Sequence, residues 1–416
     1  MTYTQTVLTF ISRVEPHAVE DLARLLASIA DNLADNPYVP FPALGSLHFA
    51  SFVILPDETY GPYLVFENNF DGPLEAYLET LIAVAGPGLE AIYRHCLDYP
   101  GSAAPDPARL CRYLRDHAVR PTAYHVGNPG RSLARIQHEA NLRRTIESWL
   151  DDLVPRGQAS PTPHDLRQHI QDLVRVEAAW AVTAPPRQSL PELLLPRLKL
   201  TAAGLLVLAA LPFGLIWLAV LRYKEGHDLV AASPPSEDHV GALLDNENRK
   251  HVVQNHMASI TFVKPGLFRR LTLRLTLLLM NLIARCRTNG ELSGIPSIHF
   301  AHWSLIDGGR RLLFLSNFDG SWENYLDDFI DKASRGLTAI WSNTVGFPRT
   351  EFLVRGGARD GTRFKAIARQ KQVFTNVWYS AYPDLTVTTI NANSTIREDL
   401  FKNLSTPEVR RWLWRF

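Results

Sequence analysis

The chain carries NFDGPLEAYLETLIAVAGPGLEAIY at residues 69–93 and NFDGSWENYLDDFIDKASRGLTAIW at residues 317–341. Upstream, LHFA at 47–50 corresponds to IHFA at 298–301. The two long stretches align without a gap, and their identical pairs are Asn69/Asn317, Phe70/Phe318, Asp71/Asp319, Gly72/Gly320, Glu75/Glu323, Tyr77/Tyr325, Leu78/Leu326, Gly88/Gly336, Leu89/Leu337, Ala91/Ala339 and Ile92/Ile340. Because the matches keep the same order in both halves, the sequence predicts an internal duplication.

Each copy shows the same predicted order of strands and helices. Alternating, aromatic-rich segments predict strands, and the turns at 56–62 and 307–309 join two of them into a hairpin. An aspartate after the hairpin, Asp71 or Asp319, is placed to cap the helix that follows it. The order β-α-β-β-α-β predicts a ferredoxin-like α+β unit in each half. The predicted strands are 7–14, 47–55, 63–70 and about 121–127 in the first copy, and 259–265, 297–306, 310–318 and about 376–390 in the second, with preceding helices at 18–35 and 268–286.

The composition is that of a globular protein in which positive and negative charges nearly balance. Hydrophobic residues make up 46% and charged residues 20%, and the formal net charge is +1. A near-neutral chain argues against nucleic acid as a partner. The three cysteines, Cys96, Cys111 and Cys286, form no metal or haem-attachment motif, and they favour a reducing compartment. We therefore expect a first repeat at 1–155, a helical linker at 156–250 and a second repeat at 251–416.

The linker contains an uncharged apolar run from Leu200 to Leu221, flanked by basic residues on both sides. Pro212-Phe213-Gly214 interrupts the run at its midpoint, which predicts two short helices meeting there. A single membrane crossing would separate the two repeats, so the sequence favours a monotopic hairpin at 198–223 that enters the membrane from one side. The alternative is a hairpin buried in a soluble core. The basic, leucine-rich segment 268–286 is either a core helix with a solvated edge or a second membrane-facing helix.

Two such units in one chain resemble the dimeric α+β barrel superfamily in a pseudo-dimeric form. In that group, two antiparallel sheets pair and the helices lie outside. Distantly similar members are the dye-decolorizing peroxidases and the chlorite-dismutase-like haem proteins, which implies haem as a cofactor. The peroxidase motif GxxDG corresponds to SNFDG at 316–320 and NNFDG at 68–72, where the first glycine is absent. The resemblance makes Asp319 a catalytic candidate, whereas its position also suits a helix cap.

The remaining candidates come from histidines, arginines and aromatic residues that are concentrated in the second half. His299 matches His48, which favours a structural task shared by both repeats, and a role as iron ligand is the alternative. His256 and His302 have no counterparts in the first half. Since His299 and His302 are three residues apart on one strand, they line one pocket only if a bulge intervenes. The candidate catalytic residues are Arg355, Arg359, Asp319 and Tyr379, and the candidate cofactor residues are His299, also the metal ligand, with His256, Trp378 and Tyr382.

The guanidinium groups of arginine bind carboxylates, phosphates or haem propionates, and aromatic rings bind an apolar ligand. The simpler interpretation of the arginines is a solvated basic loop. The sequence thus predicts a membrane-associated protein on the cytoplasmic face, with a lipid membrane and an apolar small molecule as partners. One hypothesis is a haem-dependent peroxidase or oxygenase acting on a lipid-derived substrate. The other is a non-catalytic membrane-bound lipid- or partner-binding protein.

Overall fold

The protein is an α+β molecule with two five-stranded antiparallel sheets. The computed structural model describes residues 5–57, 59–100, 106–153, 162–176, 190–209, 211–228, 235–248, 253–286 and 290–416. Its strands are β1 (Gln5–Arg13), β2 (Leu47–Leu55), β3 (Tyr63–Asp71), β4 (Ala118–Val119), β5 (Ala123–Val126), β6 (Gln254–Phe262), β7 (Ile298–Ile306), β8 (Arg311–Asp319), β9 (Thr350–Glu351), β10 (Arg355–Gly356), β11 (Gln372–Val373) and β12 (Val377–Ser380).

The helices cover the outer faces of the sheets and form the linker between the halves. Their bounds are α1 (Val19–Asp31), α2 (Leu74–Tyr93), α3 (Pro107–Asp116), α4 (Leu133–Leu153), α5 (Pro163–Val176), α6 (Leu190–Ala209), α7 (Leu211–Gly226), α8 (Glu237–Asn248), α9 (Leu267–Cys286), α10 (Trp322–Trp341), α11 (Gly361–Lys371), α12 (Val387–Asp399) and α13 (Thr406–Leu413).

The two sheets have equivalent strand orders. Sheet I runs β12-β2-β3-β1-β4, and sheet II runs β5-β7-β8-β6-β11 when it is read from the corresponding edge. The edge strands β5 and β12 are exchanged between the halves: β5 pairs with β7, and β12 pairs with β2. The sequence correctly places a strand near 121–127, but within 376–390 only Val377–Ser380 is a strand, and α12 begins at Val387. The expectation that each strand closes its own unit is wrong. Pairing partners so distant along the chain leave no mark on local alternation.

Two kinds of core result from alternation along the central strands. In β3, Leu64 and Phe66 belong to the core under α1, α2 and α3, while Val65 points the other way. In β8, Phe314 packs toward α9 and α10, while Leu313 contacts the Val65 cluster. The inner faces of the two sheets therefore pack against each other, and the helices lie outside.

The predicted strand at 259–265 begins earlier than expected. β6 starts at Gln254, so His256 lies inside the strand and not before it. Gln254, Asn255 and His256 are polar, but they are fully or nearly fully buried. A strand prediction from hydrophobic alternation misses them because it assigns polar residues to the surface. The strands at 47–55 and 63–70, and their counterparts in the second half, agree with the structure to within a residue at each end.

The aspartates after the hairpins accept hydrogen bonds from the first amides of other helices than those the sequence predicts. Asp71 Oδ2 accepts a hydrogen bond from the amide of Leu133 at 2.7 Å, and Asp319 Oδ2 accepts one from Val387 at 2.8 Å. These amides begin α4 and α12, whereas Ser321 caps α10. The expectation that the two aspartates cap the helices directly after them is therefore wrong. Thr386 is the N-cap of α12, and Asp319 accepts a further bond from the first amide of that helix. Each aspartate joins a sheet to a helix farther along the chain, at separations of 62 and 68 residues.

The apolar linker forms two helices, as expected, with a different boundary. α6 ends at Ala209 and α7 begins at Leu211, so Pro212 lies in the first turn of α7. A proline is tolerated there because the first-turn amides have no intrahelical acceptor. Among the residues that the structure describes, none of the helices combines the length and the hydrophobicity needed to cross a bilayer.

Candidate functional site

A carboxylate, that of Glu67, is fully buried between the two sheets. From sheet II, His256 Nε2 lies 3.0 Å from Glu67 Oε2, and Asn317 Nδ2 donates to Oε1 at 3.1 Å. From sheet I, Asn69 Nδ2 donates to Oε1 at 2.9 Å and Ser51 Oγ donates to Oε2 at 3.0 Å. One acidic side chain of the first half is therefore held by groups from both halves.

Two histidines of sheet II extend this network. His256 Nδ1 lies 2.9 Å from Thr375 Oγ1, so both of its ring nitrogens have partners. His302 Nδ1 lies 3.6 Å from Glu67 Oε1, and its Nε2 lies 3.0 Å from Thr9 Oγ1 of sheet I. All these groups are buried, so their hydrogen bonds are made in a region of low dielectric constant.

The protonation of this cluster follows from burial and charge. Burial alone would raise the pKa of the Glu67 carboxyl, but the hydrogen bond and charge of His256, with the charge of His302 and the hydrogen bond from Asn69, lower it to about 2. Burial lowers the pKa of His302 to about 4, against the opposing effect of Glu67. At neutral pH the network thus holds an ionised carboxylate beside a neutral His302.

β-Bulges redirect two histidines into the space between the sheets. The register of β2 shifts between Leu47 and Phe49, and that of β7 shifts between Ile298 and Phe300. The shifted residues are His48 and His299. The bulge required for His299 and His302 to face the same interior is therefore present, and the ring of His299 lies 5.1 Å from that of Phe49 across the interface.

The bulged histidines form equivalent pairs with the capping aspartates. His48 Nε2 lies 3.0 Å from Asp71 Oδ1, and His299 Nε2 lies 2.7 Å from Asp319 Oδ1. Tyr382 joins them, with its hydroxyl 3.0 Å from His48 Nδ1 and its ring 5.8 Å from that of His299. The pairs hold a strand, a helix and a loop in place, and burial together with both aspartates raises the pKa of Tyr382 well above its ordinary value.

The other aromatic candidates lie on β12 in sheet I. Trp378 Nε1 donates to Asn317 Oδ1 at 2.8 Å, which connects it to the Glu67 network. Tyr379 points to the opposite face and stacks on Phe41 at 4.9 Å. The structure thus brings together His256, His299, Asp319, Trp378 and Tyr382 at the interface between the sheets.

The two candidate arginines lie elsewhere. Arg355 begins β10 in the small β9–β10 hairpin, and Arg359 ends the short helical turn that packs on α10. Both side chains are exposed. The arginine that is buried among the described residues of this region is Arg369, which is held by Glu247 and Glu323 over the ring of Trp322.

Of the two histidines predicted to bind haem, His256 and His299, only His299 has a ring nitrogen without a hydrogen-bond partner among the described residues, its Nδ1. Both ring nitrogens of His256 have partners, and His299 is enclosed by Asp319, Phe49 and Tyr382. Two surface clefts, of about 680 and 600 Å³, have no histidine, cysteine or methionine in their walls to serve as an axial ligand. Within the described ranges, no group of three or more His, Cys, Asp or Glu side chains is placed to hold a metal ion.

A second candidate site is an apolar surface on α6, α7 and α9. On α9, the residues Leu267, Leu271, Leu275, Leu279 and Ile283 recur at every fourth position and are exposed, while Leu273 and Leu277 on its other face are fully buried. The exposed stripe is about 24 Å long at 1.5 Å per residue. α6 packs beside α9, and Trp217 of α7 lies 4.3 Å from Phe268 of α9.

Apolar side chains are also exposed on α6 and α7, as they are on α9. The exposed apolar residues of these two helices are Leu194, Leu195, Leu198, Leu205, Phe213, Leu215, Ile216, Leu218 and Val220, at 37 to 75% exposure. Large contiguous apolar areas are rare on monomeric soluble proteins and mark binding surfaces. We call the exposed apolar residues of α6, α7 and α9 the apolar platform.

Buried ion pairs fix the platform to the second half of the protein. Asp228, just after α7, accepts from Lys264 Nζ at 2.7 Å and from Arg269 Nη2 at 2.6 Å. Arg269 lies in the first turn of α9, and Lys264 also donates to the carbonyl of Ser342 at 2.7 Å. The end of α7 is therefore held rigidly against α9 and the loop after α10.

No protein-family model, curated protein or solved structure matches this chain. Sequence reasoning missed Glu67, although one signal was present. An alignment with the same offset as Asn69/Asn317 sets Glu67 against Leu315, so a lone acid in an apolar strand occupies a position where the other copy has leucine.

Proposed function

We propose that the protein is a non-catalytic, monotopic membrane protein that binds the surface of a lipid bilayer through the apolar platform. The observation that carries the proposal is the exposure of apolar side chains on α6, α7 and α9 together. An interfacial helix places its apolar face about 5–10 Å into the boundary between headgroups and acyl chains, without crossing the bilayer. The lipid- or partner-binding role predicted from the sequence has its support here.

The charges around the platform suit anionic lipid headgroups. α9 contains arginines and no acidic residue, and Arg274 is exposed beside its leucine stripe. Arg197 and Lys199 are exposed on α6, just before its uncharged segment. Basic side chains near an apolar insertion face contribute about 1 kcal/mol each toward anionic membranes. The reduced cysteines predicted from composition make the cytoplasmic face the proposed side.

We further propose that the body carrying the platform is a fused pseudo-dimer of ferredoxin-like units, arranged as an α+β barrel. Three features support this: the equivalent strand orders, the exchange of β5 and β12, and the paired His48–Asp71 and His299–Asp319 contacts. In this architecture the Glu67 network lies inside the barrel. Its role is to fix the pairing of the two sheets, because a buried ion must keep its partners.

The haem-dependent oxidoreductase stays a prediction from resemblance, and so does an apolar small-molecule substrate. The enclosed histidines favour the binding function over it. A Soret band in the purified protein would support the oxidoreductase.

The proposed function is tested by replacing four exposed platform residues, Leu205, Phe213, Leu215 and Ile216, with glutamine. We expect the full-length variant to lose binding to vesicles of phosphatidylcholine and phosphatidylglycerol by about a hundredfold or more, since fully burying each such side chain contributes about 1.5–3 kcal/mol. Flotation of protein with vesicles on a density gradient measures the loss. Glutamine keeps the helices intact because its helix propensity is high.

A matched control replaces four exposed apolar residues outside the platform, Leu244, Val253, Phe401 and Trp414, with glutamine. This variant should float with vesicles as the parent does. Equal flotation of the platform variant and the parent would show that the platform is not the membrane-binding surface. A parent that does not float would refute bilayer binding itself.

A further inference from the structure

The small hairpin beside α7 has an apolar tip. Its loop consists of Phe352, Leu353 and Val354, between β9 and β10, and we call it the 352–354 tip. Phe352 is 44% exposed and Val354 40% exposed. Hairpin loops are normally formed by Gly, Asn, Asp, Ser or Pro, which satisfy the turn geometry and face water. Three consecutive apolar residues in such a loop indicate a surface made for a partner.

The backbone of the tip is held in an unfavourable conformation. Phe352 has φ 50° and Leu353 has φ 63°, a region that bulky side chains seldom occupy. Their amides donate to the buried carboxylate of Glu225, at 2.8 and 2.9 Å, and Thr350 Oγ1 donates to it at 3.0 Å. Successive amides converging on one anion form a nest. Strain of this kind persists only where the surroundings fix it, and it concentrates at functional positions.

The group that fixes the tip, Glu225, belongs to α7, a helix that carries part of the apolar platform. Glu225 lies in the last turn of α7, and Arg222 of the same helix pairs with Glu351 at 3.5 Å. The Arg222 guanidinium also lies 6.0 Å from the centre of the Phe352 ring. The tip is therefore continuous with the helix whose earlier turns carry Phe213 and Ile216.

The charge around the tip has a basic excess, because Glu351 is paired with Arg222 and two further arginines lie nearby. Arg355 follows it directly, and Arg349 precedes the hairpin; both side chains are exposed. An apolar tip with arginines at its base matches a bilayer, whose acyl boundary takes the tip while its phosphates take the guanidinium groups. A basic surface alone would favour any polyanion, but the apolar residues at its centre favour lipid.

We infer that the 352–354 tip inserts into the bilayer alongside the apolar platform, with Arg349 and Arg355 at the level of anionic headgroups. The inference rests on the proposed function and adds a second, separate point of insertion to it. Glu225 acts as a positioning residue, because it presents the tip without contacting lipid. Arg355, which the sequence singles out, thereby gains a lipid phosphate as its anion.

The test compares Phe352→Ser and Val354→Ser with the parent, each as the full-length protein, in binding to phosphatidylcholine vesicles that contain phosphatidylglycerol. We expect each substitution to weaken binding about five- to tenfold, in keeping with partial burial of one large apolar side chain. The matched control is Phe401→Ser. Phe401 is 42% exposed and lies beneath Arg175 at 5.3 Å, much as Phe352 lies beneath Arg222.

The outcomes separate the inference from the proposed function. If Phe352→Ser and Val354→Ser bind like Phe401→Ser while the parent floats with vesicles, the tip stays in water and the inference is overturned, with the platform unaffected. If the parent protein fails to bind vesicles, both the inference and the proposed function are refuted. Each variant should unfold at the same temperature as the parent. Weaker binding then results from the changed surface residue and not from loss of the fold.

Discussion

At the scale of single residues, the interior of the protein is sensitive to acid. His302 and His125 are buried, and burial lowers the pKa of each to about 4. In the unfolded chain both rings take up protons near pH 6.5, so the unfolded state gains protons first as the pH falls. Glu67, with a pKa lowered to about 2, adds stability that is lost as the pH falls from about 4.5 toward 2.

We therefore predict that the free energy of unfolding decreases as the pH is lowered from about 6.5 to 4, and that His302→Asn flattens this decrease. Removing one proton-binding group reduces the slope by up to about 1.4 kcal/mol per pH unit. Urea unfolding at several pH values measures it. The control is His164→Asn, because His164 is exposed. A slope that is the same in the parent and in His302→Asn would contradict the assigned protonation.

At the scale of elements, the aspartates after the hairpins determine how α4 and α12 dock. Asp71 accepts from the first amide of α4 and also pairs with the buried ring of His48. We predict that Asp71→Ala lowers the free energy of unfolding by about 2–4 kcal/mol, because it removes a cap and leaves a buried ring nitrogen without its partner. Asp106→Ala, which removes only the cap of α3, should cost about 1 kcal/mol.

Denaturant unfolding of the two variants tests this difference. Equal losses for Asp71→Ala and Asp106→Ala would show that the contact with His48 contributes nothing. Asp319→Ala provides the corresponding comparison in the second half, where His299 and Val387 take the same positions.

The sequence predicts elements better than it predicts their partners. Runs rich in apolar, aromatic and β-branched residues locate β2, β3, β7 and β8, because both faces of these strands are buried. Such a run does not tell which sheet edge a short strand such as β12 joins. Likewise, the asymmetry between the copies points to His256 and His302, but the acid that unites them, Glu67, lies in the other half. Contacts between the two sheets depend on tertiary packing, so the sequence of a single strand does not predict them.

At the scale of the whole molecule, the halves depend on each other. Sheet I takes β12 from the second half, sheet II takes β5 from the first, and Arg311 of β8 pairs with Asp57 beyond the interface at 2.8 Å. We predict that the full chain unfolds in one cooperative transition, because neither sheet keeps its edge or its buried charges paired without the other. Tryptophan fluorescence and far-ultraviolet circular dichroism should give coincident denaturation curves. Two separated transitions would mean that each half is stable alone.

The exchange of edge strands also has a consequence for biosynthesis. A ribosome releases β2 long before it makes residues 377–380, so the open edge of sheet I waits for almost the entire remaining chain. An unpaired edge is a template for aggregation. The helices of the apolar platform, at 190–209 and 211–226, are made within that interval. A nascent chain that docks on a membrane at this stage is kept apart from other nascent chains in solution until the last strand arrives.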